Sequence, residues 1–248
     1  MIVLKTSNEL RLMQRAGQIS AQVLQLAGQA VKPGVTTLEL DQLIEKFIRS
    51  QGAVPSFKGY GGFPGSACIS INNEVIHGIP GHRVIQEGDI VSIDVGAVID
   101  GFHGDNASTF AAGEITPAAQ KLMDVTRESL NRGIQAAQAG NRIGDISCAV
   151  QSYVEENGFA VVRQFVGHGV GSNLHEDPEV PNFGKPHRGP RLMPGMTIAI
   201  EPMVNETGAG VRVLQDGWTT VTQSGSLSAH FEHTIAITDN GPVILTQP

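Results

Sequence analysis

Ile90-Val91-Ser92-Ile93-Asp94-Val95-Gly96-Ala97-Val98-Ile99, then Asp100-Gly101, then Phe102-His103-Gly104-Asp105-Asn106-Ala107-Ser108-Thr109-Phe110-Ala111: on this passage the reading of the chain turns. Two strand-like runs joined by Asp-Gly spell a hairpin, because a two-residue turn of this kind needs left-handed backbone that Asp and Gly tolerate. With that turn, Asp94 faces Ala107 across the strands, and Asp105 shares Ala107's face because side chains alternate with period two. Two carboxylates thus become diagonal neighbours on one face. Left unneutralised they repel, and for this pair alone solvated edge charges or a shared proton compete with a bound cation as explanations.

Outward from the hairpin, further strands are predicted over 68–71, 160–163, 197–204, 211–214, 218–222, 231–237 and 243–245. Thr6-Ser7-Asn8-Glu9 and Thr36-Thr37-Leu38-Glu39 have the form of capping boxes, and each precedes apolar residues at helical spacing. The first helix ends at Lys32-Pro33-Gly34 and the second near Gln51-Gly52; two more are predicted over 117–137, begun by Thr116-Pro117, and over 144–157. Hairpin-joined strands with helices grouped apart indicate an α+β fold.

The chain also resembles itself. Gly34, Glu39, Leu40, Ile44, Ile48 and Gly52 align with Gly140, Asp145, Ile146, Val150, Val154 and Gly158, and the strand ending in Asp94 aligns with the one ending in Glu201. His77-Gly78-Ile79-Pro80 and His175-Glu176-Asp177-Pro178 precede those two strands. One domain over 1–248 is expected, built from related halves at about 1–112 and 113–248 that face each other across a cleft.

A hydrophobic content of 40% over 248 residues supports a substantial core. The net charge of −7, with no Lys/Arg run, argues against nucleic-acid binding. Cys68 and Cys148 form no Cys-x-x-Cys pair, which suits a reducing compartment. No signal peptide or membrane span is apparent, so a cytoplasmic protein with no membrane partner is expected.

Three more residues decide between the explanations of the hairpin acids. Glu201 in Ile198-Ala199-Ile200-Glu201-Pro202 and Glu232 in His230-Phe231-Glu232-His233-Thr234-Ile235 interrupt apolar strand patterns, and His168 lies in Gly167-His168-Gly169, where glycines admit close approach. A buried unpaired carboxylate is costly, so four acids in such runs ask for cations. Asp94, Asp105, His168, Glu201 and Glu232 match two divalent ions, and one imidazole among carboxylates favours Mn, Fe or Co over structural zinc. Metal-assisted hydrolysis is the expected reaction class.

These residues resemble the ligand signature of the type I methionine aminopeptidases. Supporting phrases are Cys68-Ile69-Ser70-Ile71-Asn72, His77-Gly78-Ile79-Pro80, Asp100-Gly101-Phe102-His103-Gly104-Asp105 and Asp216-Gly217-Trp218-Thr219, and the likeness runs from Lys5 to Thr246. It implies a pita-bread fold with two pseudo-symmetric halves, a central curved antiparallel sheet and helices on its outer face. It implies two ions (Co, Mn or Fe, with Zn and Ni as further options), Asp94 on one, His168 and Glu201 on the other, Asp105 and Glu232 bridging. Glu201 would move protons, His175 would contact the oxyanion and His77 the scissile amide. Tyr60, Phe63, Cys68, His77, His175 and Trp218 would bind substrate. The implied partner is the N-terminal peptide of nascent proteins, met transiently at the ribosome by a monomer.

Phe63 and Leu174 depart from the tyrosine and larger aromatic of bacterial relatives, and Gly61 from a polar residue. His82, His187, His230 and His233 receive no role, and His103 is expected to support Asp105. The rival readings are a proline-directed exopeptidase of the same fold and a non-catalytic peptide-binding relative.

Overall fold

The computed structural model describes residues 1–248. Its elements, in chain order, are α1 (Ser7–Ala30), α2 (Thr37–Ser50), β1 (Val54–Pro55), β2 (Cys68–Ile71), β3 (Glu74–Ile76), β4 (Ile90–Ile99), β5 (Phe102–Ala111), α3 (Pro117–Ala136), α4 (Ile143–Glu156), β6 (Ala160–Val161), β7 (Gly167–Gly169), β8 (Glu176–Val180), β9 (Thr197–Ile200), β10 (Met203–Asn205), β11 (Val211–Val213), β12 (Thr220–Thr222), β13 (Ser228–His230), β14 (Glu232–Thr238) and β15 (Gly241–Ile244), with a short 3₁₀ turn at Tyr60–Gly62.

Both capping boxes form. Thr6 N–H donates to Glu9 Oε2 at 2.7 Å and Thr36 N–H to Glu39 Oε2 at 2.8 Å, so each helix starts where its orphan amides find side-chain acceptors. The decisive hairpin also forms: Asp100 and Gly101 have φ of 52° and 81°, and β4 and β5 pair along their whole length with Asp94 opposite Ala107 and Asp105 opposite Gly96.

A curled antiparallel sheet of nine strands is the centre of the fold. Its order is β1-β4-β5-β14-β9-β7-β8, with β2 also on β4 and β15 also on β14. Val91, Ile93, Val95, Ala97 and Ile99 of β4 pack with α1 and α2 in one apolar core, while Ile198, Ile200, Ile235 and Ile237 pack with α3 and α4 in another. Strand alternation then turns Asp94 to the face opposite the first core. Helix α1 lies against the sheet backbone to backbone, because a Cβ on Gly104 would stand 2.4 Å from Gly17 N.

One predicted strand divides in two. The run 197–204 breaks at Glu201-Pro202 into β9, in the central sheet, and β10, in a separate sheet ordered β13-β10-β6. Pro202 has no N–H for a ladder, so the chain leaves one sheet there and enters another. The chain makes the same exchange at Phe231, between β13 and β14, and the predicted strand 231–237 forms as β14 one residue later. Strands β1, β3, β7, β8 and β13 lie outside the predicted runs; β1 has two residues and β3, β7 and β13 three each, too few for an alternation to show.

Candidate metal centre and substrate pocket

The paired strands bring the acids together in rows. Cys68 faces Asp94, Asp94 faces Ala107, and Ala107 faces Glu232, so a line crosses β2, β4, β5 and β14 with the smallest side chain between the two carboxylates. Asp105 lies two residues along β5 on the same face. Glu201 arrives from the end of β9, whose Ile200 pairs with His233 next to Glu232. His168 comes from β7, with Nε2 3.5 Å from Glu201 Oε1 and 3.9 Å from Asp105 Oδ2. Its Nδ1 bonds the Gly169 carbonyl at 2.8 Å, which leaves Nε2 unprotonated toward the carboxylates.

The electrostatics of this cluster are those of a cation site. Burial, and then mutual repulsion, push Asp94, Glu201 and Glu232 well above the usual carboxylate range, and burial raises Asp105 to about 7. Burial lowers His168 to about 4, so its imidazole is neutral at pH 7 and fit to be a ligand. Asp94 Oδ1 and Glu232 Oε1 are buried without a hydrogen-bond partner, an expensive state for any carboxylate. Ligand-type atoms of Asp105, His168 and Glu232 lie within 4.8 Å of one another. The donor set of carboxylates plus one imidazole, with unpartnered oxygens, fits divalent cations.

All five of these side chains line one cavity of about 240 Å³, together with His77, His175, Tyr60, Phe63, Cys68 and Trp218. Every residue proposed for the site from the sequence thus reaches the same space. His77 stands on left-handed backbone with φ of 59° and meets the rings of Phe165 and Trp218 edge-on at 5.4 Å and 6.1 Å. Phe63 meets Trp218 edge-on at 5.2 Å. His175 has Nδ1 2.9 Å from the Tyr60 hydroxyl, and its ring centroid is 4.1 Å from that of His168. Burial lowers the His175 and His77 pKa values, His77 to about 4.

The cavity holds residues that the sequence did not single out. Phe57, Ile76, Phe165 and Val166 join its apolar wall, each from a segment whose place depends on long-range packing, and Leu174 closes the same wall. His230 is the larger omission. It is 1% exposed, with Nε2 unpartnered and 3.9 Å from Glu201 Oε2. His230 stands two residues before Glu232, so strand alternation puts both on one face, and that spacing is the signal by which the sequence could have shown it. His103 differs from expectation too: its Nδ1 bonds Ser56 Oγ at 2.9 Å, whereas the Asp105 carboxylate accepts from Asn106 N–H and the Asp105 N–H donates to Thr234 Oγ1. His187 and His233 serve local structure, near Asp145 and Thr246.

Residues 11–239 match the model of metallopeptidase family M24. The chain belongs to this family. As an M24 metallopeptidase it is 57% identical over 246 residues to the methionine aminopeptidase of Clostridium perfringens, covering 99% of each chain. It is 55% identical over 247 residues to methionine aminopeptidase 1 of Bacillus subtilis, covering 100% of each. The crystal structure of the methionine aminopeptidase from Thermotoga maritima superposes with a TM-score of 0.99 at 47% identity, with 100% of both chains covered. The curled sheet and its helices are therefore the pita-bread fold. No helix is long and apolar enough to cross a membrane.

Proposed function

We infer that this M24 metallopeptidase hydrolyses the first peptide bond of chains that begin with methionine, when the second residue is small. One observation carries the inference: the cluster of four carboxylates and His168 opens directly onto an apolar recess walled by Phe57, Phe63, Cys68, Leu174 and Trp218. A thioether side chain suits that recess, with the Cys68 thiol, kept protonated by burial, as a soft contact.

Asp94, Asp105, His168, Glu201 and Glu232 would hold two divalent ions, for which Mn, Fe and Co suit the donors. Such ions supply Lewis-acid polarisation of the peptide carbonyl and a water acidic enough to attack near pH 7. Glu201 accepts the proton of the attacking water and passes it to the leaving amine, from its place at the end of β9 beside His168. With the Tyr60 hydroxyl 2.9 Å away as donor to Nδ1, the neutral His175 would carry its proton on Nε2 and donate it to the developing oxyanion. His77, neutral by burial, contacts the scissile amide. Asp94, next to the recess, holds the end of the site at which the substrate's free α-amine sits, which restricts cleavage to N-termini.

Nascent protein termini are the natural substrates on this reading, met by a monomer in the cytoplasm, transiently at the ribosome. The two cysteines, both free, are consistent with a reducing compartment.

The test is a set of peptides offered to Mn²⁺-loaded protein. Methionine release should be fast from Met-Ala-Ser and Met-Gly-Ser and at least about 10²-fold slower from Met-Lys-Ser and Met-Phe-Ser, since a side chain that misplaces the reacting bond by about 1 Å costs that much. Equal rates across the set, or preferred cleavage of Xaa-Pro dipeptides, would contradict it.

A further inference from the structure

His168 and His175 stand on the two sides of one hairpin. β7 and β8 pair with Gly169 opposite Glu176, so the loop from Val170 to His175 joins the strand of one histidine to the other. An ion pair that no step above uses holds this loop. Lys5 Nζ lies 2.5 Å from Glu176 Oε2, and the two side chains are 3% and 8% exposed. The other carboxylate oxygen, Glu176 Oε1, accepts from Asn173 N–H at 3.1 Å, which closes the turn around Leu174 and His175.

Both ends of this brace are anchored. Lys5 N–H donates to Gly195 O at 2.7 Å, tying the segment before α1 to the start of the β9 region. The loop presses on the pair through backbone alone, since a Cβ on Gly171 would stand 2.3 Å from Glu176 Oε1 and 2.6 Å from Lys5 Cε. Gly171 O in turn accepts from His103 N–H at 2.9 Å. A buried ion pair is a poor source of net stability compared with apolar packing, yet it fixes geometry through directed bonds.

We propose that the Lys5–Glu176 pair is a positioning device for His175, holding the loop so that the imidazole meets the oxyanion of the reaction. The proposal rests on the aminopeptidase reading and on the role given there to His175.

A double-mutant cycle of Lys5→Met and His175→Ala tests it, on the Mn²⁺-loaded full chain with Met-Ala-Ser. Lys5→Met should lower kcat by about 10²-fold with KM nearly unchanged, as a small misplacement of a catalytic group does. In the His175→Ala background it should cost nothing more, because its effect passes through the imidazole. In the metal-free protein, the ¹⁵N signals of the His175 ring should shift in Lys5→Met. Should that variant fail to fold, Glu176→Gln, which keeps the bond from Asn173, carries the same cycle. Full additivity of the two losses, or unchanged kcat and ring signals in folded Lys5→Met, overturns the proposal alone. An unchanged kcat in His175→Ala overturns the role of His175 and the proposal with it.

Discussion

At the scale of single residues, the proposed mechanism depends most on Glu201. Replacing it with Ala should abolish turnover, a loss of at least about 10²-fold in kcat, while the circular dichroism spectrum stays that of the wild type. Near-normal activity would remove Glu201 from the mechanism. Asp105 makes a prediction about stability. Its carboxyl is raised from 3.8 to about 7 in the folded metal-free protein, so the folded state binds the extra proton between those values. The sign follows: the stability this group contributes is fully present below pH about 4 and is lost as pH rises to about 7. Metal-free Asp105→Asn should therefore gain on the wild type in thermal midpoint as pH rises over that range and hold the gain above it. A difference that is flat with pH would contradict the assignment. Comparing the two proteins at each pH also cancels the opposite contribution of the buried His77 and His233, whose lowered pKa values remove stability as pH falls through about 4.

At the scale of elements, what was legible depended on local signals. Thr6 and Thr36 mark their helix starts with hydroxyls and a glutamate three residues on, and Asp100-Gly101 declares its hairpin, so α1, α2, β4 and β5 could be read with their registers. Glu201 and Glu232 stood out as acids in apolar runs. Only the structure shows why they are there: each sits where the chain passes from one sheet to another, at the opening such an exchange leaves. The wall formed by Phe57, Phe165 and Val166 depends on segments distant in sequence, so no local period announced it, whereas the two-residue spacing of His230 and Glu232 was legible. Close approach of elements gives a further test. A Cβ on Gly17 would stand 2.4 Å from Leu245 O, a backbone atom that cannot swing aside. Gly17→Ala should cost about 1–3 kcal/mol in urea denaturation, the usual range for overpacking, despite the better helix propensity of alanine. A neutral or stabilising effect would show that α1 sits further from the sheet.

At the scale of the whole molecule, the fold holds together a charge cluster that opposes folding. Asp94, Asp105, Glu201 and Glu232 have raised pKa values, Asp94 and Glu232 each with an unpartnered oxygen, and the same face opens on an apolar recess. Divalent cations resolve the first feature and methionine the second, and hydrolysis at a chain's first bond is what the two do together. The most direct measurement is release of free methionine from Met-Ala-Ser by metal-stripped protein as Mn²⁺, Co²⁺ or Fe²⁺ is titrated back. No release without metal, and release that rises to saturation with at least one of the three ions, is the predicted result. Release that is undiminished in the stripped protein, or absent with every ion while the protein remains folded, would contradict it.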